Sequence, residues 1–135
     1  MTEEDKENFS ITEISFNYFK AFCKEWSVKL GLVDWKIDVV RSDSKTCYSS
    51  MITGNRACVL YNFEGRRATI ILNRVWEDEP SPLELNRCAL HECGELLMAG
   101  LIKMAEISSA CNVVEIETHK VIRVLENLLI PDLDI

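Results

Sequence analysis

Apolar residues recur every three or four positions from Phe16 through Phe19, Phe22, Cys23 and Trp26 to Leu30, the period of a helix with one buried face. Ser10 and Glu13 precede the run at the spacing of a capping box, and Gly31 stands where a helix would close on a left-handed residue. The pattern then changes to alternation. Trp35, Ile37 and Val39 are interleaved with Lys36, Asp38 and Val40, so 35–41 reads as a strand. Segments 47–52 and 57–61 read as further strands on either side of Gly54 and Asn55, with 62–65 as a turn. Residues 68–72 are rich in β-branched side chains and make the most buried-looking strand. Segment 76–80 reads as a loop.

Helical periodicity returns at Ser81. This serine is a cap, Pro82 occupies the first helical position and Glu84 closes the box. The predicted helix runs to about Met104, with Leu83, Leu90, Leu97, Leu101 and Met104 as its apolar stripe. Residues 108–110 form a short linker, and Asn112 with Glu115 offers another cap. A last helix carries Val114, Thr118, Val121, Leu125 and Leu128 on one stripe and stops at Pro131. The order predicts an α+β fold: an N-terminal helix, a small sheet of three or four strands, then two helices. Residues 1–9 read as a flexible acidic tail and 10–135 as one domain. Trp26, Ile37, Ile70 and Leu90 are expected to be buried together.

Composition narrows the function classes. The chain has 135 residues, 47% of them hydrophobic and 27% charged, an ordinary globular balance. A net charge of −7 argues against binding nucleic acid through its phosphates and against docking on an anionic membrane. No apolar run approaches the roughly 20 residues of a membrane span. The six cysteines form no C-x-x-C pair, and residues 1–7 are acidic, unlike a secretory leader. These features predict reduced cysteines and a cytoplasmic protein.

One stretch carries chemistry: His91-Glu92-Cys93-Gly94-Glu95. Residues four apart share a helix face, so His91 and Glu95 can bind one divalent ion together. Glu92, beside the histidine, holds the place of the general base in an H-E-x-x-H zinc site. Two groups from one helix leave such a site incomplete. The only other histidine is His119, on the last helix, on a stripe with Glu115, Ile122 and Glu126. If the two C-terminal helices form a hairpin, His119 can face the pair and supply the third ligand. Glu115 then serves as a further ligand, as a partner that orients an imidazole, or only as a cap. Zinc held by His91, Glu95 and His119 keeps its fourth position for water, lowers that water's pKa towards about 7, and leaves Glu92 to take the proton. A carboxylate in place of the second histidine makes the zinc a weaker Lewis acid. The bland alternative is a solvated helix face with no metal, and an exposed His119 paired with Glu115. Cys88 is either a softer fourth ligand or a small core residue. Gly94 costs a helix interior about 1 kcal/mol, which predicts a close approach of another element there.

The chain resembles the small zincin-like metallopeptidase family of tailed phages and prophages. The resemblance covers most of its length. It rests on the aromatic helix ending in Leu30-Gly31-Leu32, on Trp35-Lys36-Ile37 and on Ala68-Thr69-Ile70-Ile71-Leu72-Asn73. Ala89-Leu90-His91-Glu92 with Glu95-Leu96-Leu97, and the segment from Glu117-Thr118-His119 to Leu125-Glu126-Asn127-Leu128-Leu129, complete it. It implies a zincin-like fold, His91 and His119 as metal ligands and Glu92 as the base. Many relatives have His where this chain has Glu95. Two functions follow as expectations: a zinc-dependent hydrolase acting on a protein or peptide, or a non-catalytic zincin-like module that binds a host or phage protein. A third, a nucleic-acid mimic, would need its acids clustered, and they are spread along the chain.

Overall fold

The computed structural model describes residues 9–42, 56–108 and 111–131. Strand β1 is Phe9–Ser10 and helix α1 is Glu13–Lys29. Thr12, not Ser10, caps α1, its side chain accepting a hydrogen bond from the Ser15 N–H at 3.1 Å. Ser10 is unavailable because it lies in β1, and the Ile11 N–H donates to the Arg74 carbonyl, which holds this segment extended. Phe9 therefore belongs to the fold; the rest of the expected tail lies outside the described residues. The C-terminus of α1 closes as the sequence predicts. Gly31 takes φ +72°, the Leu32 N–H reaches the Ser27 carbonyl and the Gly31 N–H reaches that of Val28.

Strands β2 (Lys36–Ser42), β3 (Ala57–Asn62) and β4 (Arg67–Asn73) form one sheet in the order β2-β4-β3. β4 runs parallel to β2, with Ile37 opposite Ala68 and Val39 opposite Ile70, and antiparallel to β3. Its central position explains its composition: Ala68, Ile70, Ile71 and Leu72 are all buried. The turn between β3 and β4 is the expected one, fastened by Asn62 Oδ1 accepting from the Gly65 N–H at 2.7 Å. The strand expected at 47–52 lies outside the described residues. Trp76 departs from the sequence reading. It sits not in a loop but in strand β5 (Val75–Trp76), paired with β1, and is buried.

Helix α2 (Pro82–Leu97) starts with the full capping box of Ser81 and Glu84. Its buried residues Leu85, Ala89, Leu90, Cys93 and Leu96 join Phe19, Cys23 and Trp26 of α1 and Ala68, Ile70 and Leu72 of β4 in one core, with Ile37 packed against it. The Trp26 indole donates to Asn86 Oδ1 at 2.7 Å, tying α1 to α2. The helix does not continue to Met104. Met98 caps it with φ −91° and ψ 0°, and α3 (Ala99–Ser108) begins at once. The break shifts the phase of the buried face. Ala99 and Ala105 are buried, while Leu97, Leu101 and Met104 of the expected stripe are exposed. Gly100 passes close to the Phe63 ring, where a Cβ would meet two ring carbons at 3.4 Å. Helix α4 (Cys111–Leu129) begins before Asn112, so that residue lies inside it rather than capping it. Its buried face carries Thr118 and Ile122; Val121 and Leu128 of the expected stripe are exposed. Arg87 of α2 anchors the end of α4 through the Ile130 carbonyl and Asn127 Oδ1.

Among the described cysteines, Cys23, Cys88 and Cys93 are free, but Cys58 is disulfide-bonded, so the expectation of wholly reduced cysteines fails there. Among the described residues, no helix is long and apolar enough to cross a membrane.

Candidate metal centre

The two C-terminal helices that bear histidines lie against each other because Gly94 has no side chain. A Cβ on Gly94 would stand 3.3 Å from Cγ1 and 3.4 Å from Cγ2 of the fully buried Ile122. This is the close approach that the cost of a mid-helix glycine predicts, and it fixes which faces of α2 and α4 meet. His91 and Glu95 flank Gly94 on α2; His119 and Glu126 flank Ile122 on α4.

The result brings together His91, Glu95 and His119, the three residues proposed as ligands from sequence. One donor atom from each lies within 4.8 Å of the other two. His119 Nε2 is 3.6 Å from Glu95 Oε1. In a tetrahedral zinc site with bonds of about 2.1 Å, ligand atoms lie about 3.4 Å apart, so a small inward shift suffices. The His119 side chain is 43% exposed, which leaves it room to make that shift. The imidazole rings are 5.6 Å apart between centroids and tilted by 35°. Two imidazoles and a carboxylate are an N/O donor set suited to zinc and similar divalent ions. This group could hold a metal ion.

Glu126 is the residue the sequence reading placed on the right stripe without giving it a role. Its Oε1 lies 3.3 Å from His91 Nδ1, and its side chain is only 12% exposed. With Nδ1 donating to this carboxylate, the contact would hold the ring and leave Nε2 for an ion. Its hydrogen bond is the main reason that the His91 pKa is raised; burial opposes it, and the charge of Glu95 adds to it. Glu115 is exposed and lines the groove beside His119, one turn before it; the carboxylate at His91 is that of Glu126. Cys88 is outside the three-residue group and packs against the core, where burial pushes its thiol up to about 12.

Glu92 is 5% exposed. Burial raises its pKa well above the usual carboxylate range, helped by the charge of Glu95 and a hydrogen bond to it. Its Oε1 is buried without a hydrogen-bond partner among the described residues. An orphaned buried carboxyl oxygen is costly and calls for a partner such as a bound water. The N/O donor set of His91, Glu95 and His119, with this orphaned oxygen on the carboxyl next to Glu95, fits a divalent ion. Compared with protein-family profiles, curated proteins and solved structures, the chain matches none of them, and the site rests on its own geometry.

Proposed function

We propose that this protein is a zinc-dependent, zincin-like hydrolase acting on peptide bonds, with His91, Glu95 and His119 as ligands and Glu92 as general base. The observation that carries the reading is the convergence of the only two histidines with Glu95, beside Glu92, whose buried Oε1 has no hydrogen-bond partner among the described residues. The order of motifs that resembles small zincin-like metallopeptidases supports it. A divalent ion held by His91, Glu95 and His119 would supply Lewis acidity for hydrolysis. Glu126 holds the His91 ring in place. Glu92 takes the proton of the attacking water and delivers it to the departing amine nitrogen as the C–N bond breaks.

A second reading is a non-catalytic zincin-like module for a protein partner. It is favoured by the reciprocal pairing of His91 with Glu126 and of His119 with Glu95, which clasps α2 to α4 without any chemistry. Glu92→Gln separates the two. A hydrolase keeps zinc and loses roughly 10²–10⁴-fold in rate, the usual contribution of a general base. Zinc-loaded wild-type protein that cleaves nothing in a broad panel of unstructured polypeptides would favour the module.

A further inference from the structure

A shallow, open groove lies along α4 beside the candidate metal centre, lined by five residues of this one helix: Glu115, Ile116, His119, Lys120 and Arg123. It reaches the site directly, because His119 is both a groove wall and a ligand candidate. Glu115, His119 and Arg123 follow at four-residue intervals, so they share one helix face and the charge along the groove runs from negative to positive. The two cations differ in availability. Lys120 is engaged by Glu117 at 3.1 Å. Arg123 is exposed and has no ion pair among the described residues. The surroundings are otherwise acidic, with Glu92, Glu95 and Glu126 all near the histidines. A guanidinium with no ion pair among the described residues, beside such a site, is suited to bind a carboxylate through paired N–H donors.

From this arrangement we infer that Arg123 is a specificity-determining residue that binds a substrate carboxylate next to the scissile bond. The inference rests on the hydrolase reading and names its substrate class. The spacing sets the distance. Residues four apart on a helix have Cβ atoms about 5–6 Å apart. An extended peptide advances at most about 3.3–3.6 Å per residue. With the reach of the arginine side chain added, a carboxylate on Arg123 lies about one to three residues from a carbonyl placed at His119. The free C-terminus of a substrate peptide meets this requirement, and so does an aspartate or glutamate side chain near the cleavage point. Ile116, exposed on the same surface, offers an apolar side chain to the intervening residue.

Binding tests this without requiring turnover. The zinc-loaded full chain is titrated with N-acetyl-alanyl-alanine as the free acid and as the amide. A second pair, N-acetyl-aspartyl-alanine amide and its asparagine counterpart, presents the carboxylate from a side chain. Wild-type protein should favour at least one acid over its neutral partner by about tenfold, the scale of a hydrogen bond to a charged group. The favoured pair identifies the source of the carboxylate. Arg123→Ala should bring that preference to within about twofold, and Arg123→Lys should restore part of it. Both variants should still bind one zinc, and Arg123→Ala should bind it no more weakly, since it removes a nearby cation. Equal binding of acid and neutral probes by wild-type protein overturns the inference. So does a preference that persists in Arg123→Ala, which would place the carboxylate on the metal. A preference that depends on Arg123 without cleavage of any probe upholds the carboxylate site and counts against the hydrolase.

Discussion

Replacing Glu126 with Gln preserves the size of the group beside His91 and removes its charge. Oε1 stands 3.3 Å from Nδ1, and crossing the ring to an ion on Nε2 brings the total to about 7 Å. Over that distance a unit charge and a divalent ion attract by about 1.2 kcal/mol with full water screening and by about 5 kcal/mol at an effective dielectric of 20. The side chains of His91 and Glu126 are 27% and 12% exposed, so the site lies between these limits. Partners of this kind typically contribute 10–100-fold to metal affinity, or about 1.4–2.8 kcal/mol, which falls inside the range. We expect Glu126→Gln to weaken zinc binding about 10–100-fold in competition with a chelating dye. Glu117→Gln, an exposed acid of the same helix, should change it less than about twofold. Equal affinities for Glu126→Gln and wild type would refute the orienting role and the Nε2 coordination that follows from it.

Three further outcomes follow from the packing and the charges. Gly94→Leu should push α4 from α2, costing about 1–3 kcal/mol in chemical denaturation by overpacking against Ile122, and should weaken zinc binding; unchanged affinity would sever the link between helix approach and site. Metal-free protein should lose thermal stability as pH rises above about 4.5, because Glu92 and His91 both have raised pKa values, the native state holds more protons than the unfolded one, and stability then falls with pH. Its melting temperature should be higher near pH 5.5 than at pH 8, with a shallower slope in Glu92→Gln; an equal slope would remove Glu92 from the cause. Cys88, at about 12, and Cys23, also raised by burial, should resist iodoacetamide at pH 8 in the native protein and react once it is unfolded, as read by mass spectrometry.

The elements that were legible in the sequence are those whose signal is local. The Ser81–Glu84 box, the Gly31 terminus and the Asn62–Gly65 turn form with the residues predicted, because each depends on contacts within a few positions. Periodicity was less reliable where the chain changes direction. The stripe through Leu97, Leu101 and Met104 assumed an unbroken helix, and the cap at Met98 turned those side chains outward. At Ser10, two residues competent to cap stood close together, and pairing with β5, which is distant in sequence, decided between them. Trp76 was misplaced for the same reason: its partner, Phe9, is far along the chain. The candidate site was more legible than much of the helix packing. With only two histidines, the possible ligand sets were few, and Gly94 marked where the helices approach. The role of Glu126 was hidden because its contact depends on the register between α2 and α4, which neither helix specifies by itself.

The central claim is that His91, Glu95 and His119 bind one divalent ion together. Zinc-edge X-ray absorption on zinc-loaded protein, combined with metal analysis of His91→Ala and His119→Ala, tests it most directly. The expected result is one zinc per chain, bonded to two imidazoles and a carboxylate at about 2.0–2.2 Å and lost from each variant. Zinc bonded to sulfur at about 2.3 Å, or retained at one per chain in His119→Ala, would contradict it.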